Sequence, residues 1–279
     1  MKLHLPKMLL TAVLAVVALA PGAWADTEST PTYSGTVYTF IGNTSGTDLA
    51  FSKLQYVNSN GETATIQGVS GAWGDISAAI ATAGAGDRNT LKLGEGYAKG
   101  LTYTFNPIAV AGFIVDASGY SIVTGSTGGA RNIEIGNATD TTAYTTINYD
   151  FSVTNHARSD ASIKLLGTQE WTIASTATYT LNAGSASSVV LADGSKTTQN
   201  GGTVSFSGDS VTGTGSYIVS SGSFKNAVFK TGTTLGLGSG ANLSAITMGS
   251  GSTLDLTELE LSASTAAVST TNVTMESGS

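Results

Sequence analysis

The chain has 279 residues, no cysteine, and a formal charge of −7 carried by only 11% charged residues. Its acidic balance leaves no electrostatic footprint for nucleic acid or an anionic membrane, and the lack of cysteine excludes a disulfide scaffold. Glycine, serine and threonine dominate, yet β-branched and aromatic residues recur in short alternating runs, which a disordered chain lacks.

Residues 1–25 read as a secretory signal peptide. Lys2, His4 and Lys7 form a basic start, Met8 to Ala20 is free of charge, and Pro21-Gly22 breaks the segment before an Ala23-x-Ala25 cleavage site. The apolar stretch is too short for a membrane span and is followed by polar chain. Cleavage before Asp26 removes Lys2 and Lys7, leaving 10 basic and 19 acidic residues, a net −9.

Residues 26–105 are expected to form an N-terminal cap or irregular β region. Strand-like runs cover Thr36 to Ile41, Leu49 to Val57 and Thr63 to Ile66, with Asn60-Gly61 as a hairpin signal between the last two. One helix is expected over Ile76 to Ala83, with Asp75 as its N-cap and Gly84 as its stop. Irregular early coils would account for the same residues equally well.

From residue 106 to 279 the pattern tightens. Runs follow at Val110 to Val115, Tyr120 to Val123, Asn132 to Gly136, Tyr144 to Val153, Ser162 to Leu166, Glu170 to Ile173 and Tyr179 to Leu181. More lie at Val189 to Leu191, Thr203 to Phe206 and Tyr217 to Val219. An antiparallel sandwich also has short strands at this spacing. The C-terminal region favours stacked coils instead. Ser223 to Leu237 aligns on Asn242 to Leu256 with Phe224 on Leu243, Phe229 on Met248 and Leu235 on Leu254, a constant 19 residues apart. Continuing that offset puts Val273 on Leu254 and Met275 on Leu256. A period near 20 built from period-2 runs and Gly/Ser/Thr turns is the mark of a solenoid. The expected fold is all-β: a right-handed parallel β-helix of about nine coils and about 40 Å, with 19–20 residues per coil.

These coils, such as Gly232-Thr233-Thr234-Leu235-Gly236-Leu237 and Gly251-Ser252-Thr253-Leu254-Asp255-Leu256, together with the leader and the run Arg131-Asn132-Ile133-Glu134-Ile135-Gly136, resemble bacterial autotransporter passenger repeats. The resemblance covers about residues 105–279. It implies a β-helical passenger carried to the cell surface, commonly an adhesin or scaffold, whose partners are host or matrix glycans or proteins. Such proteins usually end in a membrane β-barrel. Here the last aromatic residue is Phe229 and the last basic one Lys230, so the expectation is a truncated chain, attached to the outer membrane through a segment not present in it.

Chemistry is sparse. The one histidine beyond the leader, His156, lies in His156-Ala157-Arg158-Ser159-Asp160, where a base, a cation and a carboxylate at spacing two would share a strand face. A polar turn explains it more simply. Asp87, Arg88, Asp116, Arg131, Asp140, Asp150, Arg158 and Asp160 are the residues from which a polysaccharide-cleaving cluster would be drawn, although scattered turn acids ordinarily serve solvated turns. No residue is assigned as catalytic, cofactor-binding or metal-binding. The expected function is therefore a non-enzymatic exported stalk, scaffold or adhesin. The alternatives are the N-terminal portion of a β-helical polysaccharide-active enzyme, or a spacer for an effector domain beyond residue 279.

Overall fold

The computed structural model describes residues 31–35, 37–40, 54–57, 63–66, 88–93, 102–105, 108–124, 132–155, 162–184, 187–257 and 269–279. All belong to one compact unit beginning at Thr32, apart from Pro31, and among them the regular elements are strands without exception. The leader, the expected helix over 76–83 and the His156 segment lie outside the described residues.

The unit opens with β1 (Val37–Phe40), β2 (Leu54–Val57) and β3 (Thr63–Ile66). β2 and β3 pair antiparallel from Val57↔Thr63 to Leu54↔Ile66, the hairpin that Asn60-Gly61 signals. β1 pairs antiparallel with β2 and parallel with β4 (Thr90–Leu93). From there strands come in sets of three. β4 is followed by β5 (Thr102–Phe105) and β6 (Ile108–Val110). The next set is β7 (Gly112–Val115), β8 (Tyr120–Thr124) and β9 (Ile133–Ile135), then β10 (Ala143–Ile147), β11 (Phe151–Thr154) and β12 (Ser162–Leu165). β13 (Thr168–Ile173), β14 (Thr178–Asn182) and β15 (Ser188–Leu191) make another. Beyond β16 (Lys196–Asn200) the strands fuse into β17 (Thr203–Gly213), β18 (Ser216–Phe229) and β19 (Thr234–Met248), before β20 (Thr253–Asp255) and β21 (Ser269–Met275).

Each strand pairs in parallel with its counterpart in the next set, which sorts the structure into three ladders. The first runs β1, β4, β7, β10, β13, β16 and on through β18, β19 and β20. The second runs β5, β8, β11, β14 and β17 into β18, β19 and β21. The third runs β6, β9, β12, β15 and then the far ends of β17, β18, β19 and β21. Parallel pairing thus includes β4 and β5, upstream of the 105/106 boundary drawn from the sequence.

The 19-residue register holds where the corners are smallest. Leu235 pairs with Leu254, and Phe224, Ile246 and Met248 take the partners the alignment predicts. The last step departs from it. Val273 pairs with Ile246 and Met275 with Met248, an offset of 27 rather than 19 from the strand before. β21 belongs to the second and third ladders, not on top of Leu254 and Leu256. The physical reason is the longer connection from β20 to β21, which adds residues without adding a rung. Leu256 and Met275 therefore do not stack on each other, and each is 49% exposed. The run Tyr144 to Val153 also divides into β10 and β11 at a corner of exposed residues, Asn148-Tyr149-Asp150.

Inward side chains alternate along each strand, so successive rungs stack like on like. In the third ladder Ile133, Ile163, Val189, Val211, Phe229 and Met248 form one column. In the second, Tyr120, Phe151, Tyr179, Val204, Phe224 and Leu243 form another. Aromatic rings join into an internal spine. Phe113 meets Phe151 at 5.2 Å between centroids, Phe151 stacks on Tyr179 at 5.7 Å, and Trp171 stands edge-on between Tyr179 (5.1 Å) and Tyr217 (5.8 Å). Tyr217 continues to Phe206 and Phe224, and Phe224 to Phe229.

Two glutamines make this interior tolerable for polar rings. Gln169 Oε1 accepts from Trp171 Nε1 at 3.1 Å while its Nε2 donates to the carbonyls of Ile135 and Leu166. Gln199 Oε1 accepts from the Tyr217 hydroxyl at 2.9 Å while its Nε2 donates to the carbonyls of Gly201 and Ser223. Burial pushes the Tyr179 and Tyr217 hydroxyls well above the usual phenol range, so both stay neutral. The Tyr179 hydroxyl is buried without a hydrogen-bond partner. Tyr179→Phe is therefore expected to leave stability unchanged or raise it by about 1 kcal/mol, read from the urea midpoint.

The corner between the second and third ladders shows why the C-terminal sets are the shortest. Between Ser205 and Asp209 it takes three residues, whereas one residue, Asn226 and then Ala245, suffices in the next two sets. A one-residue corner requires the left-handed region, which Asn226 (φ 58°) and Ala245 (φ 53°) adopt, as does Ser207 (φ 54°) at the middle of the three-residue corner. Asparagine accepts that conformation readily; alanine pays about 1–2 kcal/mol for it. Ala245 is exposed, so Ala245→Asn is expected to stabilise the chain by about 0.5–1 kcal/mol, seen as a raised urea midpoint.

Candidate functional site

Of the acids singled out in the sequence, Asp116, Asp140 and Asp150 are among the described residues, and they lie at separate corners. Asp116 forms an ion pair with Lys92 at 2.9 Å and accepts from Asn148 Nδ2 at 2.8 Å, tying three successive sets together at one corner. Arg88 pairs with Glu134, which also faces Lys164 at 3.7 Å across the β9–β12 register. Asp150 Oδ1 accepts from the backbone N–H of Thr178 at 2.8 Å, linking its corner to the next. Asp140 is exposed. His156, Arg158, Asp160, Asp87 and Arg131 lie outside the described residues. Among the described residues no three His, Asp or Glu side chains gather as metal ligands. Asp116, Glu134 and Asp150 thus act as staples between rungs, a use to which turn and strand-edge acids are well suited.

Asp209 is the exception in burial. It lies on the inward side at the three-residue corner, 8% exposed, where its carboxylate accepts from the backbone N–H of Ala183. Burial raises its carboxyl above the usual carboxylate range, and the Ala183 hydrogen bond only partly opposes this. A carboxyl raised on folding favours the folded state most below its unfolded value and loses that contribution as pH rises through the folded one. Asp209→Asn keeps an acceptor for Ala183 and removes the charge. At pH 7 this variant is expected to be at least as stable as the wild type, and its stability is expected to fall less between about pH 4 and 7, measured by urea titration at several pH values.

What the ladders do build is a polar outer face. On the second ladder, outward residues between the buried positions align into two columns. One is Thr178, Thr203, Ser223 and Asn242; the other is Ser121, Ser152, Thr180, Ser205, Lys225 and Ser244, in which Ser205 is buried and its hydroxyl accepts from the Ser207 N–H and from Asn226 Nδ2. Two shallow depressions that share Thr178 and Thr180 lie along this face. One is bounded by Asp150 and Ser152, and the other runs past Ser205 and Lys225 to the left-handed corner at Asn226 and Ala245. A separate depression on the first ladder is lined by Lys196, Thr198, Ile218, Ser220 and Thr257. Apart from Asp150, none of these residues stands out in the sequence. Their signal was the polar-x-polar repeat Thr178-x-Thr180, Thr203-x-Ser205, Ser223-x-Lys225, Asn242-x-Ser244, visible only once the register between sets is known.

Comparison with protein-family models, with curated proteins and with solved structures gives no match.

Proposed function

We propose that the chain is a right-handed parallel β-helix that serves as a non-enzymatic exported scaffold or adhesin, built like the autotransporter passengers its repeats resemble. The observation that carries this reading is the register: three ladders in which each strand pairs with its counterpart one set later, over a shared apolar interior. Parallel crossovers of this kind are right-handed in the great majority of proteins. Seven rung-to-rung steps from β4 to β20, at about 4.8 Å each, give a rod of about 34 Å along the first ladder. A rod of repeated rungs offers a long surface of aligned polar side chains, which suits presentation or attachment. Asp116, Glu134 and Asp150 spend their carboxylates on rung-to-rung contacts, which supports a non-catalytic role. Export rests on the leader at residues 1–25.

The test uses the secreted chain, assayed for depolymerisation of polysaccharides and hydrolysis of peptides, and immobilised on beads for attachment to matrix-coated surfaces. Attachment without turnover is the expected result. Turnover that disappears in His156→Ala or Asp160→Ala would overturn the reading.

A further inference from the structure

Lys225 interrupts a column otherwise made of hydroxyls. Its neighbours above and below in the register are Ser205 and Ser244, and Thr180 lies one rung beyond Ser205. Among the described residues no carboxylate lines its depression, which holds neutral side chains, polar and apolar, besides the lysine. Among the described residues that line the two depressions the one acid, Asp150, bounds the far one and is already engaged with Thr178. The protein is acidic overall, so a lone cation in a neutral groove is a local reversal of its field.

We infer that the outer groove of the second ladder, from Ser152 through Thr180 to Lys225, binds an acidic oligosaccharide, with a sugar carboxylate or sulfate at Lys225. The inference rests on the attachment reading above and names the ligand class and the site. Hydroxyl and amide side chains both donate and accept, which matches a polyhydroxylated chain. The two columns stand two residues apart, about 7 Å, and successive rungs about 4.8 Å, so Ser152 to Lys225 spans about 14 Å. A peptide strand would instead use a sheet edge, and an apolar ligand would require an enclosed apolar pocket, whereas this face is open and mixes Ala227, Val228 and Ala245 with its hydroxyls. Nucleic acid is disfavoured by the net charge.

The test is titration calorimetry of the exported chain with an oligogalacturonate, a sulfated heparin fragment, a neutral dextran oligosaccharide and poly-glutamate. One or both acidic oligosaccharides are expected to bind, more weakly as salt rises, and whichever binds identifies carboxylate or sulfate as the anion. Lys225→Gln is expected to weaken that binding about tenfold or more, and Thr180→Val to weaken it by a smaller factor. Lys196→Gln, in the groove of the first ladder, is expected to leave it unchanged. Both lysines lie on outer faces, so each variant keeps the core intact. No binding of either acidic oligosaccharide, equal binding of poly-glutamate, or equal losses in Lys225→Gln and Lys196→Gln would overturn the inference. If beads still attach to matrix while the oligosaccharides fail, the site is wrong and the scaffold reading stands.

Discussion

Trp171→Ala is expected to destabilise the protein by about 3–5 kcal/mol, the largest effect of any single truncation in the spine. The indole is fully buried, holds edge contacts to Tyr179 and Tyr217, and gives its N–H to Gln169. Alanine leaves a cavity between two rings and strands the Gln169 oxygen without its donor. Trp171→Phe restores most of the packing and none of the hydrogen bond, so it should fall between the two. Because each set contacts mainly its neighbours, the loss is also expected to be local at first. Limited proteolysis should open the β13–β16 region of the variant before the rest.

Leu235→Asp is expected to cost about 4 kcal/mol or more. Leu235 is fully buried and sits between Tyr217 and Leu254 in the first ladder, so aspartate would place a charge on the inward face with no partner. Thr234, one residue earlier, points the other way, and Thr234→Asp should stay within about 0.5 kcal/mol of the wild type. The same change at Leu254 is expected to cost less than at Leu235, since Leu254 is only partly buried at the edge of the stack. Chemical denaturation of the three variants reads all of this directly. Equal effects at 234 and 235 would mean that the alternation of faces is wrong.

How far the fold could be read in advance followed corner length. Where a single residue turns the corner, as at Asn226 and Ala245, the sequence offset equals the structural one and Leu235 over Leu254 follows from counting. Where the connection lengthens, as between β20 and β21, counting fails although the apolar pattern of Val273 and Met275 is intact. Upstream, offsets between parallel-paired strands range from 19 (Thr102 to Ser121) through 32 (Ile114 to Thr146) to 53 (Val37 to Thr90), so no fixed period exists there to be found. β16 escaped notice for another reason. Its inward residues are Thr197 and Gln199, and nothing in Lys196-Thr-Thr-Gln-Asn200 reveals that the amide will be buried against a tyrosine hydroxyl two strands on. The acids were visible, but their partners were not: Asp116 meets Lys92 only because the two belong to consecutive rungs. The groove beside Lys225 is likewise a property of register, not of any local motif.

Cysteine pairs test the stacking most directly, because the chain has no cysteine of its own. In-register neighbours on parallel rungs lie about 4.8 Å apart, within the range a disulfide spans. Thr234 with Thr253 and Thr247 with Thr274 are such neighbours, all outside the core. The double substitutions Thr234→Cys with Thr253→Cys, and Thr247→Cys with Thr274→Cys, are expected to cross-link under mild oxidation, seen as a gel shift reversed by reductant. Thr253→Cys with Asn272→Cys, the pair that an unbroken 19-residue period would bring together, is expected to stay reduced. Cross-linking of that last pair, or failure of the first two, would contradict the three-ladder register.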